Sequence, residues 1–415
     1  MLDLNVCKSR LCTNLGVSHS PDYEYNIRAL GFLAMYCRRC GATPPMLDNN
    51  SYHQIWQHWQ TQLSQLTGRF CPACGQTSFK RFGASSTQQI RYQCKLCSRT
   101  FSARYPVHKA QANTVDRLQD ILANPISDAP ISLIQWARST GTPFDRACQQ
   151  LHQLALMEMW QQPLAHHIAT SAFTLPYKGR NNRLWMLIST DMNSNKILHI
   201  SSSLVPLSLS TEGRYQPGFD APIPPIADVA TAIELAHHRE QYFLSRPQFD
   251  RCDFGEGTLG SKSMSHALPV LTAHTHFAVL KQLGHGGPNS VHCLSHEVFL
   301  RGACITQFAD DVKQHQTALL YVVGETHPPA EHSQNRKLGW WQNEWHEYHD
   351  ADGNTKAFTE LCGSSPLTAD AISLSSVNQA IHFICQSATH HDLHLLTAQR
   401  VNALIAGLTI VYNNA

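Results

Sequence analysis

Eight cysteines precede residue 98 and fall into two sets of four. Cys71-Pro72-Ala73-Cys74 is followed, after 19 residues, by Cys94-Lys95-Leu96-Cys97. Two residues between thiolates let a tight turn present both sulfurs to one ion at about 2.3 Å, and two such turns close a tetrahedral zinc site. Cys7 and Cys12, four residues apart, and then Cys37-Arg38-Arg39-Cys40, 24 residues later, repeat the pattern more loosely. Both sets are read as structural zinc sites. Buried apolar cysteines would explain either pair alone, but that reading needs matching spacings at each site.

Such ligands must be held by turns between short strands. Ile90-Arg91-Tyr92-Gln93 and Arg99-Thr100-Phe101 alternate as strands do, which makes the second set a zinc ribbon. A unit this small buries too little apolar surface to fold alone, so the metal must supply folding free energy. Cations run through the same segment: Arg38, Arg39, Arg69, Lys80, Arg81, Arg91, Lys95, Arg99, Arg104 and Lys109, against the single acid Asp48. Interleaved with Phe79, Phe82, Tyr92, Phe101 and Tyr105, they suit a surface that neutralises phosphates. A solvated basic face is the other reading.

At 415 residues, 42% hydrophobic and 15% charged, the chain is long enough for two to four domains and is neither disordered nor fibrous. The net charge of +2 hides a division, with 16 basic against 9 acidic residues up to position 165 and the reverse imbalance beyond it. The first residues lack the charged and apolar regions of a secretory signal, and no apolar run reaches the roughly 20 residues of a membrane helix, so a cytoplasmic chain with no membrane partner is expected.

After the ribbons the apolar period becomes helical. Val115, Leu118, Ile121 and Leu122 share one face, Ile131, Ile134 and Ala137 begin a second, and Ala147, Leu151, Leu154 and Ala155 line a third. Thr142-Pro143 suits the start of that third helix, and the short Ser139-Thr140-Gly141 connection suits a helix-turn-helix that turns Arg146, Gln149 and Gln150 towards a groove. A plain three-helix bundle fits the pattern equally. Residues 162–180, with Pro163, Pro176 and Gly179, read as a linker.

Beyond it, Leu184–Thr190 is a near-continuous apolar strand ending in Asp191, and a turn leads to a second strand, 196–201. Asp at that position either forms the turn or offers a carboxylate. Ser290–Leu294, Glu297, a helix over 300–314 and the strand 318–323 make an α/β unit with an acid near a strand end, where open sheets place their sites. Glu331 follows with 33 residues between, and three acids from separate elements could converge. The 25 histidines are read as surface or hydrogen-bonded core residues, and Trp340, Trp341 and Trp345 as core or as a stacking platform for bases.

The stretches Cys7–Gly16, Tyr36–Gly41 and Arg91–Phe101 resemble the N-terminal zinc ribbons of bacterial insertion-sequence transposases. The order of ribbon, helix-turn-helix and Asp-bearing hairpin is similar to that of DDE transposases, whose catalytic domain has a ribonuclease-H-like fold. The resemblance implies ribbons at 1–50 and 51–110, a helix-turn-helix at 111–162, and, past the 163–180 linker, a ribonuclease-H-like α/β domain with a mixed sheet over 181–415, carrying an insertion around 206–290. It further implies that Asp191, Glu297 and Glu331 hold two Mg²⁺ or Mn²⁺ ions for strand cleavage and transfer, with Asp253 a rival for the second place and Glu360 for the third. Zinc ligands would be Cys7, Cys12, Cys37, Cys40, Cys71, Cys74, Cys94 and Cys97. DNA contacts would come from Arg38, Arg39, Lys80, Arg81, Arg91, Lys95, Arg99, Arg146 and Gln149. The implied partner is double-stranded DNA, bound by a homo-oligomer at the bacterial nucleoid. A catalytically inactive, transposase-derived DNA-binding protein carries the same ribbons, and a zinc-ribbon protein that binds RNA or another protein is a third class.

Overall fold

The structure is a computed structural model that describes residues 2–29, 32–67, 79–84, 90–102, 133–141, 143–178, 182–210, 212–214, 231–245, 265–326, 336–338, 343–349, 355–388 and 393–414. In chain order the elements are β1 (Tyr23–Ala29), β2 (Phe32–Cys37), α1 (Asn49–Thr67), β3 (Phe79–Ala84), β4 (Ile90–Cys94), β5 (Thr100–Ser102), α2 (Leu133–Thr140), α3 (Phe144–Gln161), β6 (His167–Lys178), β7 (Asn182–Asp191), β8 (Ile197–Ser202) and β9 (Leu204–Val205). They continue with α4 (Ala232–Ser245), β10 (Ser265–His266), α5 (Pro269–Gln282), β11 (Ser290–Ser295), α6 (Val298–Gln307), α7 (Ala309–Lys313), β12 (Thr317–Thr326), β13 (Arg336–Leu338), β14 (Asn343–His349), β15 (Thr355–Cys362), α8 (Ser375–Ala388) and α9 (Ala398–Asn414). Among the described residues no helix is long and apolar enough to cross a membrane.

An eight-stranded mixed sheet, ordered β13-β14-β15-β12-β11-β6-β7-β8, organises the chain. β6, β7 and β8 form an antiparallel meander, β11 lies parallel to β6, and β12 lies parallel to β11. The central strands of the sheet are buried on both faces, and their alternate residues serve opposite cores. Trp185 and Leu187 join one core with Leu319 and Tyr321, and Leu184, Met186 and Ile188 join the other with Leu320 and Val322. α4, α5 and α6 cover the first face; α2, α3, α8 and α9 cover the second.

Two expected boundaries fall differently. The segment expected as a linker over 163–180 contains β6, the strand that joins the meander to the parallel pair. Its breaker residues are accommodated because Pro176 lies beside the register shift at the strand's end, where a missing N–H is tolerated. The range expected to carry an insertion, around 206–290, supplies α5, whose residues Pro269 to Leu280 are all buried. A helix buried on all sides, with Thr272, His274, Thr275 and His276 among its apolar residues, has no 3.6-residue apolar stripe to reveal it. In α2 the buried residues are Leu133, Trp136 and Ala137, and Ile134 points outward. The helix face expected at Val115–Leu122 lies outside the described residues.

Candidate metal centre and nucleic-acid interface

The loop from Cys7 to Gly16 folds on itself, with Cys12 N donating to Ser9 O (3.0 Å) and Gly16 N to Cys7 O (3.0 Å). β2 ends at Cys37, after which the N–H groups of Cys40 (3.3 Å) and Gly41 (2.8 Å) return to the Cys37 carbonyl, and Gly41 takes φ +73° to close the knuckle. The two turns bring the sulfurs of Cys7, Cys12, Cys37 and Cys40 within 4.8 Å of one another. Cys7 and Cys40 are 3.5 Å apart at sulfur, and Cys12 and Cys37 3.8 Å. Four sulfurs about 2.3 Å from a tetrahedral zinc stand about 3.8 Å apart, so the cluster has the dimensions of a zinc site.

Supporting groups orient the ligands. Tyr23 Oη accepts from Cys7 N at 3.0 Å and is 2.8 Å from the carbonyls of Asn14 and Val17, to either of which it donates. Asn14 Nδ2 donates to Cys37 Sγ (3.7 Å) and to Asp22 (3.0 Å). Burial pushes the Cys7 and Cys12 thiols upward, a cost that a bound cation would offset.

This first site is not a separate ribbon domain. Leu4 and Leu15, on either side of the Cys7–Cys12 loop, belong to the same core as Phe299 and Leu300 of α6. Asn5 and Leu47 exchange hydrogen bonds of 2.7 and 3.0 Å. Lys8 is buried against α6, where burial and then the neighbouring Arg301 pull its ammonium down to about 8. Gly16 takes φ +64°, and a Cβ there would lie 2.5 Å from Cβ of Ala309. Gly16→Ala therefore combines left-handed strain with overpacking and is expected to cost about 2–4 kcal/mol of stability, read from urea unfolding midpoints. A change below about 0.5 kcal/mol would mean that the loop does not seat against α7.

In the second set, Cys94 ends β4 and Cys97 lies in the turn to β5, with Ser98 N donating to Cys94 O at 3.1 Å and Cys94 N to Arg99 O at 3.0 Å. Cys71 and Cys74 lie outside the described residues. The three-stranded sheet β3-β4-β5 is held by Phe79 packed edge-on to Tyr92 at 5.0 Å.

The expected DNA-contacting cations divide into two groups. Arg38 pairs with Glu24 (2.7 Å) and Arg39 with Asp22 (2.9 Å), so both are engaged in bracing the first knuckle. Lys80 and Arg81 on β3, and Lys95 and Arg99 at the β4–β5 turn, are exposed, while Arg91 donates to Thr100 Oγ1 (3.0 Å). Leu96, beside Lys95, is 70% exposed at the tip of that knuckle. No acid occurs from residue 49 to residue 115. Arg146 and Gln149 are exposed on α3, whose buried side packs in the same core as α9.

Of the three acids expected at one site, the two described, Asp191 and Glu297, lie apart. Asp191 accepts from Ser194 Oγ (2.6 Å), Ser194 N (3.1 Å) and Asn193 N (3.3 Å), and so closes the β7–β8 turn. Its register partner is Ile168, which pairs in turn with His292 near the start of β11. Glu297 lies beyond Ser295 at the other end of β11, where it caps α6 by accepting from Val298 N (3.0 Å). Between the Cα atoms of Asp191 and Ser295 are about 10 Å along the strands and about 10 Å across two strand spacings, and Glu297 is farther still. Paired metals about 4 Å apart require ligands within a few ångströms, so Asp191 and Glu297 cannot share such a site. Glu360, on β15, accepts from Ser365 N at 2.9 Å. Glu331 and Asp253 lie outside the described residues.

No protein-family model matches the chain, and no curated protein matches it. Among solved structures, the chain is similar to a cryo-EM structure of a piggyBac transposase synaptic complex with hairpin DNA. The match has 10% sequence identity and a TM-score of 0.28, covers 74% of this chain, and spans 66%, just under two thirds, of that one.

A buried polar seam, whose members no sequence motif links, runs through the sheet. Thr170 Oγ1 meets Ser189 Oγ (2.6 Å), which meets His276 Nε2 (2.8 Å); Ser201 Oγ joins His276 Nδ1 (2.9 Å) to His199 Nε2 (2.9 Å). Ser189, His199 and Ser201 interrupt otherwise apolar strands, which was the available signal. A second buried pair, Glu240 with His296 Nε2 at 2.8 Å, sits where β11 ends. Trp345 packs against His296 in the core, at 4.8 Å between rings, and is not a surface platform.

Proposed function

We propose that the chain is a transposase-derived DNA-binding protein in which zinc fixes both cysteine sets and the β3-β4-β5 ribbon meets duplex DNA. The observation that carries this reading is the acid-free ribbon that exposes Lys80, Arg81, Lys95 and Arg99 around a cysteine knuckle. Fixed cations on a rigid sheet neutralise phosphates without the ordering cost of a flexible tail. The run β8-β7-β6-β11-β12, a meander followed by parallel strands, supports a ribonuclease-H-like domain. The inactive form of the reading is favoured because Asp191 is engaged in its turn and Glu297 lies beyond the other end of β11.

Gel shifts on duplex DNA test the interface. The double variant Lys80→Ala/Arg81→Ala is expected to weaken binding and to lower the slope of log affinity against log salt by about 2, one for each phosphate no longer neutralised. Unchanged binding, or tighter binding of RNA than of duplex DNA, would overturn the assignment. Incubating the wild type with DNA ends in Mg²⁺ or Mn²⁺ is expected to give no joined product. Joining that Asp191→Asn abolishes would restore the active enzyme.

A further inference from the structure

Where the two helical layers meet around the edge strand β8, helices α1, α3 and α9 leave a two-part cavity. Its outer part holds about 280 Å³ and its inner part about 50 Å³, with His58, Gln62 and His152 lining both.

The outer part is polar, and the two charged residues that line it, Asp145 and Arg400, are paired with each other. Gln62 and Asn402, half-buried, and Gln149 and Gln399, exposed at its mouth, line it with side-chain amides that have no hydrogen-bond partner among the described residues. Arg400, the one cation among the described lining residues, is already matched, with Nε and Nη2 3.0 and 2.9 Å from Asp145 Oδ1 and the guanidinium 4.7 Å from the Phe144 ring. Burial keeps His58 and His152 neutral, the latter pulled down to about 4.

The inner part is apolar, walled by Trp59, Leu156, Met159 and Ile405, and it contains an unanswered polar atom. His199 stands edge-on to Trp59 at 4.9 Å and uses Nε2 on Ser201, while its buried Nδ1 has no partner among the described residues. A buried nitrogen left unpaired is costly, and here it borders a cavity from which a water or a ligand atom can reach it.

These features specify a ligand chemistry. Each amide carries a donor and an acceptor side by side, which matches the alternating edge of a nitrogen heterocycle. An anion finds no spare cation among these lining residues, and a purely apolar molecule leaves the amides unanswered. The volume lies at the lower end for small-molecule sites, which suits one ring system. We propose that this cavity binds a neutral nitrogen heterocycle of the nucleobase class, with its polar edge on the amides of Gln62, Gln149, Gln399 and Asn402 and its ring directed towards Trp59 and His199. The site uses no residue of the β3-β4-β5 ribbon and stands apart from DNA binding there.

Calorimetric titration of the full-length, zinc-loaded chain with adenosine, guanosine, cytidine and thymidine tests it, with glucose and acetate as comparators. At least one nucleoside is expected to saturate one site per chain, and glucose and acetate to give no saturable heat. Gln62→Leu and Asn402→Leu, on helices that tolerate leucine, should each weaken that binding about tenfold with unchanged melting. Lys80→Ala, which impairs the DNA contact proposed above, should leave the titration unaltered. Failure of all four nucleosides to saturate by about 10 mM, equal binding of glucose, or nucleoside binding indifferent to both amide variants would overturn the proposal.

Discussion

Cys37→Ser is expected to remove one zinc per chain, measured by elemental analysis, and to lower stability by about 3–5 kcal/mol in urea unfolding. The effect is large because the ligand does more than close a small ribbon. The loop and knuckle it ties together hold Leu4 and Leu15 in the core beneath α6 and seat Lys8 against that helix. Losing the metal loosens one face of the main sheet as well as the hairpin. Cys385→Ala, at a half-buried cysteine of α8 away from the cluster, should retain full zinc content. An unchanged metal count in Cys37→Ser would mean that the sulfurs meet without holding an ion.

The second large effect is acid sensitivity. His266, His285 and His292 are buried, and burial lowers each to about 4 from an ordinary value near 6.5. His285 also accepts from Ala165 N through Nδ1 at 3.2 Å, a bond that protonation would break. In the unfolded chain these rings take up protons near pH 6.5, and in the folded chain only near pH 4. Their contribution is therefore complete above about pH 6.5 and is lost as the pH falls towards 4. At pH 5 each costs about 2 kcal/mol, and three together approach the whole stability of an ordinary domain. Urea midpoints at pH 7.5, 6 and 5 should drop steeply over the lower interval. A midpoint constant from pH 7.5 to 5 would show that these rings titrate alike in both states.

How much was legible beforehand follows from the range over which each feature is encoded. The four-sulfur cluster is set by turns of a few residues, so the spacing of Cys7, Cys12, Cys37 and Cys40 was enough to find it. The hairpin β7–β8 and the unit β11–α6–α7–β12 are local as well, and their apolar runs announced them. Register is not local. That Asp191 lies level with His292, and Glu297 beyond the far end of β11, is decided by pairing through β6, more than a hundred residues from β11. β6 itself was hidden by Pro163, Pro176 and Gly179, which punctuate a sequence whatever the sheet does with them. The cavity joins side chains from α1, α3 and α9, whose neighbourhood no sequence window contains.

The seating of residues 4–16 against α6 and α7 joins the beginning of the chain to a segment made nearly three hundred residues later. During synthesis the cysteine loop and its hairpin emerge before α6 and α7 and can capture an ion at once, yet the apolar backs of Leu4 and Leu15 stay uncovered until those helices have left the ribosome. Closure across such a span makes for slow assembly. It also means that an expression fragment beginning after residue 50 would expose the bare underside of α6 to water and aggregate, so the sheet cannot be isolated by trimming from the front.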